Sequence, residues 1–148
     1  MASTPWDTQE IASAPQVTAP DGSAVRVLCA TARGSMIAFS LEPGAVSQAV
    51  AHKTVEEIWY VVAGQGRLWR KLDEREEVID LAPGLSLTIP VVTRFQFRND
   101  GAAPLDIIAV TMPPWPGEGE AYPVAGLWEA TVRPVMVALD KNDELRRR

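Results

Sequence analysis

The stretch VAHKTVEEIWYVVAG, residues 50–64, places the chain's one histidine, His52, ahead of two adjacent glutamates, a run of β-branched and aromatic residues, and a closing glycine. With the period-2 alternation of a strand, Glu57, Trp59, Val61 and Ala63 share one face and Ile58, Tyr60 and Val62 the other. Both faces are substantially apolar. A barrel wall with its outer face in water does not need that second apolar row, which predicts a second layer or a subunit interface. The row that starts at Glu57 points into the barrel or buries a carboxylate, and a buried carboxylate needs a partner or a raised pKa.

Outward from this stretch the chain repeats short runs of high β-propensity: Ala24 to Thr31, Ser35 to Leu41, Ser47 to Lys53, Gly66 to Lys71, Glu77 to Leu81, Ser86 to Ile89, Arg94 to Arg98 and Leu105 to Thr111. Turn residues such as Pro43-Gly44, Gly64-Gln65-Gly66, Pro83-Gly84 and Asp100-Gly101 separate them at roughly 8 to 12 residue spacing, the pattern of hairpins in an all-β sandwich or barrel. No alternation of strands with helical patterns appears, which disfavours a doubly wound parallel sheet. Residues 1–22, rich in Ser, Thr, Ala and Pro and closed by Asp21-Gly22, read as an N-terminal arm. Residues 23–112 are then the barrel and residues 113–148 a Pro/Trp-rich extension with a charged tail. After Pro134 the extension has the pattern of a short helix with cationic residues at its C-terminal end, and Arg146 to Arg148 read as a solvated tail.

The 148 residues fit one domain, and 14 Lys plus Arg against 19 Asp plus Glu give a formal charge of −5. That sign is opposite to a nucleic-acid footprint, so no nucleic-acid partner is expected. No run reaches the ~18 to 20 apolar residues of a membrane span, and the first residues lack the cationic start and apolar centre of a secretory signal; a cytoplasmic, non-membrane protein is expected. Cys29, in the apolar run VRVLCA, reads as a nucleophile or, better, as a small buried hydrophobe. One cysteine and one histidine cannot build the usual cysteine, mixed or three-histidine metal sites.

Two segments within residues 44–99 resemble the paired motifs of the cupin superfamily. In the first, G-x5-H-x-H-x(3 or 4)-E-x6-G, Gly44, His52, Glu57 and Gly64 fall in place and Val50 stands in the first-histidine slot. In the second, G-x5-P-x-G-x2-H-x3-N, Gly84, Pro90 and Asn99 fit; Val92 replaces the second glycine and Phe95 the histidine. The resemblance implies a cupin-type double-stranded β-helix, a jelly-roll barrel, that acts on a small molecule.

Cupins commonly hold a divalent metal on histidines and a glutamate inside the barrel. Here the resemblance implies a reduced site of His52, Glu57 and Gln96, with Glu56 as an alternative oxygen donor, able to take Zn, Mn or Fe. In an isomerase, cyclase or lyase reaction the metal would polarise an oxygen while Glu57 or Glu56 moves a proton. Trp59, Arg94 and Gln96 are candidate substrate-binding residues, the last two depending on register. Ungapped, the second motif turns Phe95, Phe97 and Asn99 inward; one residue shorter, it turns Arg94 and Gln96 inward and favours an anionic ligand. Trp59 and Trp69 line the cavity or fill core, and Trp115, in the Pro-rich segment, suits a lid. Two further readings stay open. One is a metal-free enzyme with the lone histidine as base, for which neither Tyr60 nor Tyr122 is obviously placed as acid. The other is a metal-free cupin that binds an apolar or anionic ligand without catalysis. A homodimer is expected, through exchange of strands or of the 1–22 arm.

Overall fold

Alternating burial along each β-rich run decides where the strands lie, because only one face of each can enter a core. The computed structural model describes residues 6–132. A single 3-10 turn, Ile11–Ser13, precedes β1 (Gln16–Thr18), β2 (Ala24–Ala30), β3 (Ser35–Leu41), β4 (Val50–His52), β5 (Glu56–Ala63), β6 (Gly66–Leu72), β7 (Arg75–Leu81), β8 (Ser86–Ile89), β9 (Arg94–Asn99), β10 (Leu105–Met112) and β11 (Ala121–Pro123). All pairings are antiparallel. One sheet runs β1-β2-β3-β10-β5-β8 and the other β11-β4-β9-β6-β7, and they face each other as a double-stranded β-helix. The expected fold class is the observed one.

Strand β5 shows the alternation most clearly: Glu57, Trp59 and Val61 are buried while Glu56, Ile58, Tyr60 and Val62 are exposed. Its inward row meets Phe39 of β3 and Phe95 and Phe97 of β9 in a cluster of edge-to-face rings, with centroids 4.8 to 5.5 Å apart. Such contacts add roughly 0.5–1.5 kcal/mol per pair beyond area burial. Gly64 leaves β5 at φ +91°, and a Cβ there would meet the Pro104 carbonyl oxygen at 2.5 Å, so both backbone conformation and space demand glycine.

The terminal segments differ from the expected arm and extension. Residues 6–13 are exposed, but Ala14 is buried, β1 pairs with β2 of its own chain, and Asp21 reaches the barrel interior. Nothing in that pairing calls for exchange with another chain. After β10 the Pro-rich segment folds back: β11 pairs with β4, and residues 124–132 lie as a strap along the outer side of the second sheet. The expected terminal helix and the Arg146 to Arg148 tail lie outside the described residues. Among the described residues no helix is long and apolar enough to cross a membrane.

Candidate active site

Between the two sheets lies a cavity of about 390 Å³, reaching from β1, β2 and β3 to the Trp115 segment. Its walls are largely apolar, with Val25, Ile37, Phe39, Val50, Trp59 and Phe95 among them. The polar groups gather in a few places. His52, at the end of β4, and Glu57, at the start of β5, enter from neighbouring stretches joined by the Lys53 to Val55 turn, each only 5% exposed. His52 Nδ1 stands 3.4 Å from Glu57 Oε1. Glu57 continues across the sheet into Thr111 of β10 and Ser35 of β3, whose hydroxyls are hydrogen-bonded to each other. Ser35 Oγ also accepts the Trp115 N–H at 3.1 Å, and the Trp115 ring packs edge-on against His52 with centroids 5.0 Å apart. Trp115 thus packs over His52 at one wall of the cavity.

The electrostatics follow from burial in an apolar wall. Desolvation, reinforced by the nearby Asp21 carboxyl and opposed by the Trp59 indole, pushes the Glu57 carboxyl up to about 8. Desolvation also drives the His52 imidazole down to about 4, opposed by the charge of Glu120. Glu57 gives His52 no comparable support, because it is itself uncharged over that range. Two buried polar atoms here lack any hydrogen bond of good geometry: His52 Nδ1 and Trp59 Nε1. Orphaned groups of this kind in a native cavity mark a place for a ligand or an ordered water.

His52, Glu57 and Trp59 therefore share the cavity, and the other sequence candidates do not. Glu56 points to solvent on the outer face of β5. The ungapped register holds for β9: Phe95 and Phe97 face inward, Arg94 is exposed, and neither Arg94 nor Gln96 lines the cavity. Gln96 is buried on the opposite face, where its amide is saturated. Nε2 donates to the Ser47 and Trp128 carbonyls, and Oε1 accepts from the Leu127 and Trp128 N–H groups. Trp69 sits beside Gln96 on that face and donates to Glu76. Tyr60 is half-exposed outside the barrel, and Cys29 is a half-buried free thiol on β2.

The expected metal set does not fit. The four positions that carry ligands in the motifs, Val50, His52, Glu57 and Phe95, do converge on the cavity, but two of them are hydrocarbon. Gln96 cannot turn inward without abandoning four hydrogen bonds. Among the described residues no three His, Cys, Asp or Glu side chains are grouped to hold a cation. A Zn, Mn or Fe ion would find one imidazole and one carboxyl, short of the three or more protein ligands such ions take.

Sequence reading missed Asp21 and Glu120. Asp21 lines the cavity and accepts the Ser23 N–H and Oγ–H at 2.9 and 2.6 Å; burial raises its pKa against those bonds. Its Asp-Gly context reports only a turn. Burial alone would raise Glu120, but the N–H groups of Thr54 and Val55 and the Thr54 hydroxyl donate to it and lower it on balance. It so pins the 117–123 segment to the turn between His52 and Glu57, a long-range contact with no local pattern.

The sequence matches no curated protein. Solved structures of similar fold include Streptomyces Pac13, a nucleoside dehydratase seen with uridine, at 16% identity and TM-score 0.65 over 84% of this chain and 95% of that one. Oxalate decarboxylase from Bacillus subtilis matches at 15% identity and TM-score 0.69 over 83% of this chain and 33% of that one. The capsular polysaccharide assembling protein CapF from Staphylococcus aureus matches at 19% and 0.61, over 76% and 35%. Likeness at such identities establishes the barrel and nothing finer. The model of the Cupin domain matches residues 38–111, which hold the strands that bring His52 and Glu57 together, and on that match, half of its length, the chain belongs to the cupin family.

Proposed function

We propose that this cupin is a metal-independent acid–base enzyme, a lyase or isomerase of small molecules, with Glu57 as proton donor and His52 as proton acceptor. The observation that carries the reading is the pair itself. A carboxyl and an imidazole lie 3.4 Å apart, buried at one wall of an apolar cavity, with Nδ1 unpaired. With Glu57 at about 8 and His52 at about 4, the pair at neutral pH is uncharged and its proton sits on the carboxyl.

In an elimination, His52 takes a proton from the carbon next to the one bearing a hydroxyl. The C–H electrons become the new double bond, and Glu57 gives its proton to the departing hydroxyl, which leaves as water. An imidazolium–carboxylate pair remains, one internal proton transfer from the starting state. Neither charge forms alone, which matters in a low-dielectric wall. Isomerisation uses the same two groups, with the proton returned to a different carbon. A dehydratase on a barrel of nearly the same length, Pac13, supports the lyase variant. Trp115 excludes water from His52, and Trp59 Nε1 is available to a substrate oxygen.

The test is incubation in D2O with a panel of small β-hydroxy carbonyl compounds, followed by NMR for loss of water or exchange of carbon-bound hydrogen. Turnover that disappears in both Glu57→Gln and His52→Gln supports the reading. Compounds that bind but neither exchange nor eliminate would leave a cupin that binds small molecules without catalysis.

A further inference from the structure

Among the described residues the cavity combines buried acids with a lack of cations. Asp21 and Glu57 both line it, each less than a tenth exposed, and no lysine or arginine does. Among the described residues Asp21 is met only by the amide and hydroxyl of Ser23, and Glu57 faces the His52 imidazole at 3.4 Å. Two carboxyls in one apolar cavity with no counter-charge among the described residues are an arrangement that costs stability. Two unpaired atoms, His52 Nδ1 and Trp59 Nε1, each at least nine-tenths buried, also line this space. Phe39, Trp59, Phe95 and Trp115 bring aromatic rings to the walls.

We propose that the ligand of this cavity carries a positive charge, as a protonated amine on a partly apolar body that also bears a hydroxyl or carbonyl oxygen, with Asp21 as its counter-charge. An ammonium group has three N–H donors and no acceptor. It matches the Asp21 carboxylate, and the aromatic walls favour a cation through their ring quadrupoles. The oxygen of the ligand is what the Trp59 N–H lacks. This names the substrate class of the acid–base site proposed above and rests on that reading for its catalytic meaning only; the binding preference stands by itself.

Three probes share one skeleton and differ in charge: phenylethanolamine, phenylethanediol and mandelate. Titrated against the full chain at pH 7 by calorimetry, the amine should bind about tenfold or more tighter than the diol, and mandelate at least about tenfold weaker than the diol. Asp21→Asn should bring the amine to the affinity of the diol and leave the diol unchanged. Equal affinity of amine and diol, preference for mandelate, or binding of none of the three would each overturn the proposal. The acid–base reading fails on separate grounds, by the D2O experiment, and an amine preference without exchange would leave a cation-binding cupin.

Discussion

A carboxyl at about 8 beside an imidazole at about 4 reverses the order in which these groups lose protons in water, where the reference values are 4.5 and 6.5. The reversal has two measurable consequences. If activity needs Glu57 protonated and His52 neutral, kcat/KM should plateau across neutral pH, falling below about 4 as the imidazole charges and above about 8 as the carboxyl ionises, with both limbs belonging to the pair. Glu57→Gln should abolish the activity rather than shift a limb. Stability should carry the same signature. For Glu57 the folded value lies above the unfolded one, so its protonated form favours the fold and stability is lost as pH rises from 4.5 through about 8. For His52 the folded value lies below, so stability is lost as pH falls from 6.5 through about 4. Between pH 6.5 and 8 the His52 loss no longer operates, and the Glu57 loss should be about 2 kcal/mol, seen as a falling Tm that Glu57→Gln reduces. Asp21, also raised by burial, adds nothing of opposite sign. A flat melting profile across that interval in the unmodified chain would mean that Glu57 is not buried uncharged.

Strands longer than three residues were legible because their alternation is local: the runs read from β2, β3, β5, β6, β8, β9 and β10 agree with the observed bounds to within a residue. The three-residue edge strands β1 and β11 carry prolines in or beside them and exist by pairing with residues far along the chain, which no window of sequence shows. The motif frame also placed Val92 in a glycine slot, and the backbone there does adopt φ +60°, a conformation that β-branched residues rarely take. What the frame could not show is which polar residues of β9 have partners. Gln96 looks like a ligand in sequence and is a clasp in the structure, because the strap that saturates it lies some 30 residues further on. The same strap lays the Trp128 ring beneath the guanidinium groups of Arg67 and Arg98, at 5.5 and 5.3 Å. Its tightest point is Gly126, where a Cβ would meet Gln96 Oε1 at 2.5 Å and the Ala49 Cβ at 2.6 Å. Gly126→Ala should lift the strap, strand the Gln96 amide, and cost about 2 kcal/mol or more in a urea titration. The acid limb of the pH profile should stay where it is, since Trp115 and Glu120 are anchored independently by Ser35 and by the Thr54 turn. A loss of activity in step with the loss of stability would show that strap and site are one unit.

For the whole molecule the unresolved demand is the outer face of the six-stranded sheet. The register sets Met36, Val110 and Ile58 in one row across β3, β10 and β5, and Ala38, Ile108 and Tyr60 in the next. Ile58, Tyr60 and Val62 are 44 to 50% exposed, and Ser86 and Thr88 of β8 close the two rows on one side. These two rows carry no charge within β3, β10 and β5, with Arg26 of β2 beside Ala38 at their edge, and on a chain of formal charge −5 they are where two copies can meet with least electrostatic repulsion. In a two-fold dimer the same patch on both copies would meet, with the sheets stacked roughly 10 Å apart. The homodimer expected from the sequence is therefore proposed to form through this face. Exchange of the N-terminal arm is not needed, since β1 already pairs with β2 of its own chain. Light scattering at tens of micromolar should give the mass of two chains, and Tyr60→Glu should halve it. Because Tyr60 and Glu57 lie on opposite faces of β5, the substitution should leave the pH dependence of the site as it was. Removal of residues 1–13, all ahead of β1, should leave the dimer intact, whereas arm exchange requires that it dissociate; a single-chain mass for the unmodified protein would sink both arrangements.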